Sequence, residues 1–419
     1  MADSPPRVAI VAGARTPFAK AGTKLKAHSA LDLACHAVDG LLDKHGLDPS
    51  TIDEMVYGIV VLDPRRPQFA REVAFASRLP SSTPAWTATD NCITGTTAVM
   101  AITDSIRAGR AETGIAGGVE SMSNPAVLFS PAASRIFVDL SNARTLKDRV
   151  ELLSSLRPRD LKPNAPSVVE PSTGLSMGEH TEITVKEWNI ARQPQDELAF
   201  ASHKNAAAAT DDGRLKAEIV PLDGIDHDTI IRPDTTLEKL ATLRPVFDTS
   251  GSGTLTAGNS SPLTDGAAAV ALMSEERAAK EGREPLAFIR GYKKVAIDPG
   301  DGLLMGPGIA VPDLLAETGL TLDDMDLIEM HEAFAGQVLS NIAAWEQGWK
   351  RDPIGTFDRS KLNQLGSSIA VGHPFSATGV RIVTTLANEM KRRNSRYGLI
   401  SICAAGAMAQ AMILERDVG

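Results

Sequence analysis

The apolar residues of the first sixty positions change period as the chain proceeds. Val8 to Ala12 form a continuous apolar run closed by Gly13, the pattern of a buried strand. From Ser29 to Leu42 the spacing becomes helical: Leu31, Leu33, Ala34, Ala37, Val38, Leu41 and Leu42 recur at helical intervals, and Ser29 stands where a cap is needed. Met55 to Val61 read as a second strand. This order of strand, helix and strand predicts an α/β layer architecture with largely parallel strands.

The pattern then repeats itself. GLDPSTIDEMVYG (Gly46 to Gly58) aligns without gaps on GLTLDDMDLIEMH (Gly319 to His331), each a Gly-Leu, a polar cap region and an apolar–Asp step into a strand. The segments around Cys92 and His373 form a second, looser echo. Each sets a reactive side chain beside Gly, Ser and Thr, then an amphipathic helix, then a strand ending in small residues (Ile115 to Gly118; Leu399 to Ala405). Two echoes in one order predict a chain of two duplicated halves. Between them, residues 126–174 turn irregular, with Pro131, Pro158, Pro163, Pro166 and Pro171. Within that stretch Arg135 to Lys162 carry seven basic and four acidic residues around Ile136, Leu140, Leu146, Val150 and Leu153. The segment reads either as a helical cap covering the active site, its charges solvated, or as a basic amphipathic surface for a membrane or a partner subunit.

Composition narrows the class. Of 419 residues, 43% are hydrophobic and 23% charged, which excludes a disordered, collagen-like or coiled-coil chain. A net charge of −9 argues against a nucleic-acid binder, whose footprint is basic. Cys35, Cys92 and Cys403 are too few and too scattered for a disulfide scaffold or a zinc CxxC pair. The opening MADSPPRVAIVAGARTPF has no leader pattern, and no apolar run approaches the ~18 residues of a membrane span, so a cytoplasmic protein with free thiols is predicted.

Two cysteines and two histidines stand out by position. Cys92, in TATDNCITGTTAVMAI, sits where a helix begins, and unpaired N–H groups there favour a thiolate; the same position also suits a small core residue. Cys403 is delivered by an apolar strand into Ala-Ala-Gly-Ala and by itself also reads as packing, as does Cys35 on the apolar face of the first helix. His373, between Gly372 and Pro374, reads as a rigid turn at a strand end, and His331 ends an apolar strand. His331 begins His-Glu-Ala-Phe-Ala and not HExxH, so no metal site is expected. Together the four supply candidates for nucleophile, base and proton donor.

Eight ordered segments then carry a resemblance. VAGARTPF, the Cys92 segment, GGVESMS, SMGEHTE, TAGNSSPLTDGAAAV, HEAFA, GHPFSATG and CAAGAMA resemble thiolase motifs along nearly the whole chain. HEAFA and the Arg-rich insertion are most similar to β-subunits of trifunctional fatty-acid oxidation complexes. The resemblance implies a thiolase fold: two duplicated βαβαβαββ halves in five α-β-α-β-α layers, with an inserted loop domain. The expected divisions are 1–125, 126–255 and 256–419. It implies a 3-ketoacyl-CoA thiolase of fatty-acid β-oxidation in which Cys92 attacks the keto carbon and His373 takes its proton. Cys403 would protonate the enolate, His331 would hold its oxygen, and the Cys92 and Ala405 N–H groups would form a second oxyanion site. Met177, Arg232 and Ser261 fall at the family's CoA-binding positions, with CoA as substrate and no separate cofactor. A homodimer or tetramer, and an α-subunit with hydratase and dehydrogenase activities, are implied as partners. Alternatives are a biosynthetic acetoacetyl-CoA thiolase and a non-catalytic acyl-CoA-binding scaffold. Two departures from the family text are Ala407–Met408, beside the acyl pocket, and DNCITG around the nucleophile.

Overall fold

The computed structural model describes residues 5–164 and 168–418, so the first four residues and Pro166 read above lie outside it. The chain forms two compact units: one holds the chain up to Val60, Gln68–Asn124 and Val169 onward, the other Val61–Pro67 and Pro125–Val168.

The larger unit is built on a ten-stranded mixed sheet among the described residues. Its strands are β1 (Val8–Arg15), β2 (Ala19–Lys20), β3 (Glu54–Gly58), β4 (Ala85–Ala88), β5 (Thr113–Glu120), β6 (Thr264–Ser274), β7 (Ala287–Ala296), β8 (Leu327–Met330), β9 (Tyr397–Ala404) and β10 (Met408–Glu415). They lie in the order β4-β3-β5-β6-β1-β7-β10-β9-β8, with β2 on β6. The duplication is visible in the pairing. β3–β5 is parallel and β5–β6 and β6–β1 antiparallel; likewise β8–β9 is parallel and β9–β10 and β10–β7 antiparallel. The halves join where Ala9 and Ile10 of β1 pair with Phe288 and Ala287 of β7. The sheet is therefore mixed and not largely parallel: three residues, Ala405 to Ala407, connect β9 to β10, too few for a parallel crossover.

Alternation along the strands assigns the layers. Ile400, Ile402, Met412 and Leu414 face a central core with Val99, Ile102, Val380 and Val383 of the helices Thr94–Arg107 and Phe375–Arg393. Leu399, Ala409, Ala411 and Ile413 point the other way, against Leu314, Val338 and Trp345 of the helices Pro307–Thr318 and Ala335–Gln347. Helix Ala30–His45 packs on β1, β5 and β6 of the other half. The sequence of layers is α-β-α-β-α. That first helix begins with a full capping box, Ser29 with Asp32, and ends at Gly46 in the left-handed region.

Gly13 does not close β1 as read from sequence. It pairs with Val270 inside the strand, and a Cβ there would meet Thr384 at 2.4 Å, so its role is close approach of a helix. Glycines also set the contact between the two central helices. A Cβ on Gly95 would lie 2.3 Å from Ser376 O and 2.9 Å from Val380 N, and one on Gly379 2.7 Å from Thr96 N. Gly95→Ala is therefore expected to force these backbones apart and cost about 1–3 kcal/mol, measured by denaturant unfolding. An unchanged unfolding midpoint would contradict that role.

In the smaller unit, helices Pro131–Asn142 and Leu146–Ser155, capped by Ser130 and Thr145, give the 135–162 segment the helical form read for it within the Pro-punctuated stretch. Leu128 and Asn164 exchange backbone hydrogen bonds of 3.0 and 2.7 Å. Val138, Leu146, Val150 and Leu153 are exposed.

Candidate active site

Cys92 lies in a single turn, Asn91–Ile93, that leads directly into helix Thr94–Arg107. Asn91 adopts φ 50°, a conformation asparagine tolerates, and its Nδ2 donates to Ala405 O at 3.0 Å. That bond ties the nucleophile turn to the β9–β10 turn. Ala407 in the same turn has φ 54°, and Gly406 N–H donates to Glu170 Oε2 at 2.9 Å, so two side chains hold this strained loop in place. The backbone N–H groups of Ala405 and Cys92 favour the Cys92 thiolate.

His373 is not at a strand end. It lies between the helical turn Ser368–Val371 and helix Phe375–Arg393. The apolar run that read as strand is buried on all sides, where periodicity cannot separate strand from helix. His373 Nε2 stands 3.3 Å from Cys92 Sγ, and its Nδ1 2.7 Å from Thr378 Oγ1. A thiol donating to Nε2 requires the proton on Nδ1, donated to Thr378. The helices following Cys92 and His373 thus meet N-terminus to N-terminus, and their positive ends favour negative charge between them.

His331 follows β8 and continues its ladder, its N–H donating to Ser401 O at 2.9 Å. The ring lies 4.1 Å from the His373 ring, centroid to centroid. Nδ1 is 2.8 Å from Ser368 Oγ, and Nε2 is buried without a protein partner. Cys403, near the end of β9, packs with Ala333, Phe334 and Ala407 beside Met177, close enough for a Cys92 thiolate to act on it. All four side chains converge in one place within the larger unit. Cys92, His331 and His373 also bring ligand atoms within 4.8 Å of one another, a spacing that would admit a soft cation.

Burial dominates the electrostatics. It pushes the Cys92 thiol up to about 11 despite the two N–H groups, and Cys403 well above its ordinary value, the Cys92 charge adding to the rise. It drives His373 down to about 3, helped by the Arg381 charge, and His331 well below the usual range, with His373 and Arg381 contributing. At neutral pH the resting groups are two thiols and two neutral imidazoles, not a thiolate–imidazolium pair. Alkylation of Cys92 by iodoacetamide should therefore rise about tenfold per pH unit from pH 7 to 9, as thiolate accumulates below its pKa. A rate already level at pH 7 would mean a preformed ion pair.

Ser261 N–H donates to Ala333 O at 2.9 Å, two residues beyond His331. Met177 opens helix Met177–Glu187 and borders the Cys403 cluster. Arg232 is exposed, on a loop whose Ile230 abuts Gly372 beside His373. Cys35 is away from the site, against Val73 O at 3.9 Å, its thiol pushed up to about 12 by burial. Thr378, Ser368, Arg381, Asn91 and Glu170 were not anticipated.

The family model for the thiolase N-terminal domain matches residues 8–276, and that for the thiolase C-terminal domain residues 283–416. A 3-ketoacyl-CoA thiolase of Colwellia psychrerythraea is 43% identical, over 98% of this chain and 97% of its own. One of Yersinia enterocolitica is 44% identical over 98% and 97%. Among solved structures, human mitochondrial 3-ketoacyl-CoA thiolase superposes with a TM-score of 0.83 at 32% identity over 98% of each chain. Bacillus anthracis acetyl-CoA acetyltransferase gives 0.83 at 31% identity over 99% of this chain and 100% of its own. Among the described residues no helix is long and apolar enough to cross a membrane.

Proposed function

The chain belongs to the thiolase family and is an acyltransferase of the 3-ketoacyl-CoA thiolase kind; from that premise we propose how its residues divide the work. The reading rests on the 3.3 Å approach of His373 Nε2 to Cys92 Sγ. His373 takes the thiol proton as sulfur attacks the keto carbon of a 3-ketoacyl-CoA. The tetrahedral oxyanion is held by the N–H groups of Cys92 and Ala405, and each donor of this kind is typically worth ~3 kcal/mol of barrier. Collapse breaks the bond between the second and third carbons and leaves the shortened acyl group on Cys92. The departing acetyl-CoA enolate rests its oxygen on His331 Nε2, and Cys403 gives its proton to the carbon. In the second half-reaction the Cys403 thiolate takes the proton of CoA, whose sulfur attacks the acyl-enzyme. His373 returns its proton to Cys92 as the shortened acyl-CoA leaves. A sulfur nucleophile suits this cycle because an enzyme thioester and a CoA thioester are close in energy.

CoA enters as substrate, with no separate cofactor, along Met177 and Ser261, and its phosphates meet Arg232. Removing an exposed charge of this kind costs uniform binding: Arg232→Ala should raise KM for CoA by about 3–10-fold with kcat unchanged. An unchanged KM would free Arg232 of that role. The divisions 1–125, 126–255 and 256–419 stand as the proposed functional parts. Assembly as a homodimer or tetramer in the cytoplasm is part of the same reading. So is contact of residues 135–162 with a hydratase–dehydrogenase α-subunit or a membrane surface, for which the exposed Leu146 and Val150 give support. Reversing the charges of Arg144, Lys147 and Arg149 should weaken both contacts; binding left intact would return the segment to a solvated surface. The acetyl-CoA acetyltransferase neighbour keeps acetoacetyl-CoA as a second substrate to test. Release of acetyl-CoA from a series of 3-ketoacyl-CoAs of increasing chain length decides between them; turnover confined to acetoacetyl-CoA would overturn the degradative reading.

A further inference from the structure

The mechanism above needs the proton of neutral His331 on Nε2, because only that nitrogen lacks a protein partner. Nothing in the ring itself places it there. The choice is made one residue away. Ser368 Oγ lies 2.8 Å from His331 Nδ1, and the same oxygen lies 3.3 Å from Arg381 Nη2. Arg381 also donates to Ser367 Oγ at 3.1 Å, and Ser367 sends its own proton to Met330 O at 3.0 Å. Arg381 is buried in the helix that follows His373 and faces Glu329 at 3.6 Å.

A guanidinium offers only donors and keeps its charge inside a protein. Ser368 oxygen therefore accepts from Arg381. A hydroxyl has one proton, and the remaining neighbour of that oxygen is His331 Nδ1, which must take it as an acceptor. With the proton on Nδ1 instead, Ser368 would face two donors and leave its own proton buried without an acceptor. We infer that Arg381 and Ser368 are positioning residues that fix His331 as its Nε2–H tautomer, a neutral donor aimed at the enolate oxygen. The inference rests on the role proposed for His331 and extends it to a pair that touches no substrate. His373, held through Nδ1 by Thr378, takes the opposite tautomer, so two imidazoles 4.1 Å apart serve as a donor and a base. Burial, with a smaller push from the Arg381 charge, favours the uncharged form of both rings.

Nitrogen-15 NMR of histidine-labelled whole protein tests the tautomer without any turnover. His331 should show a protonated Nε2 and an unprotonated Nδ1; a proton on Nδ1 would overturn the inference even if the enzyme is active. In kinetics, Ser368→Ala should lower kcat for 3-ketoacyl-CoA cleavage about 10–100-fold, the range for a misplaced catalytic donor. Acylation of Cys92 by a thioester of a strongly acidic thiol, which forms no enolate, should stay within about twofold. Ser368→Thr, which retains the hydroxyl, should recover most of the cleavage rate. Cleavage by Ser368→Ala at the wild-type rate, or equal loss in both reactions, would also overturn it. A wild-type protein that cleaves no 3-ketoacyl-CoA would sink the functional reading alone, since the nitrogen shifts would still report the tautomer.

Discussion

Cys92→Ala will abolish acyl transfer, lowering kcat by about 10⁴-fold or more, the scale on which loss of a covalent nucleophile is felt. The change deletes one sulfur from a half-buried turn, and the turn is held by groups other than that sulfur: Asn91 to Ala405, and Asp90 N–H to Thr94 Oγ1 at 2.7 Å. The variant should therefore fold, and its loss is chemical. Acid-quenched wild-type enzyme given a 3-ketoacyl-CoA should carry the shortened acyl group on the Cys92 peptide by mass spectrometry, and the variant should carry none. Cys35→Ala is the control. That thiol lies on the first helix with a pKa of about 12 and has no contact with His373, so activity should survive its removal. A residual rate within tenfold of wild type, or an acyl group found on another side chain, would remove Cys92 from the mechanism.

What the sequence disclosed of this site follows from what side-chain pattern can encode. The duplication was readable because both copies keep the same caps and apolar steps, and the structure renders them as β3 and β8, each paired in parallel with the strand next to it. Cysteine and histidine are rare enough to be noticed at element ends. The residues that hold them are not. Thr378 and Ser368 are ordinary hydroxyls in segments full of them, and Asn91 reads as a turn residue. Arg381 alone left a trace, a charge inside the apolar run Val380 to Val383. Its partner Glu329 is far along the chain, so no helical spacing pairs them. The role of Gly13 is hidden in the sequence for a related reason. A glycine that ends a strand and one that admits a helix against it look the same until Thr384 is seen 2.4 Å from where a Cβ would sit.

Cys403→Ala should cost about 10²–10⁴-fold in kcat, the range for loss of a general acid–base group. The position is suited to that task and poorly suited to nucleophilic attack. Cys403 is 1% exposed, sits in an apolar cluster, and has its thiol raised well above the ordinary value by burial and by Cys92. A thiol so disposed holds its proton until a strong carbon base, the enolate, is formed beside it. It also makes a thiolate basic enough to take the proton from CoA. Both half-reactions therefore lose their proton carrier in the variant. An acyl thioester whose leaving thiol is strongly acidic departs without a proton, so it should still acylate Cys92 in Cys403→Ala at close to the wild-type rate. The split between these substrates is the diagnostic measurement. If both fell together, the substitution would have disturbed Cys92 itself through the shared β9–β10 turn; if neither fell, the enolate would be drawing its proton from another donor.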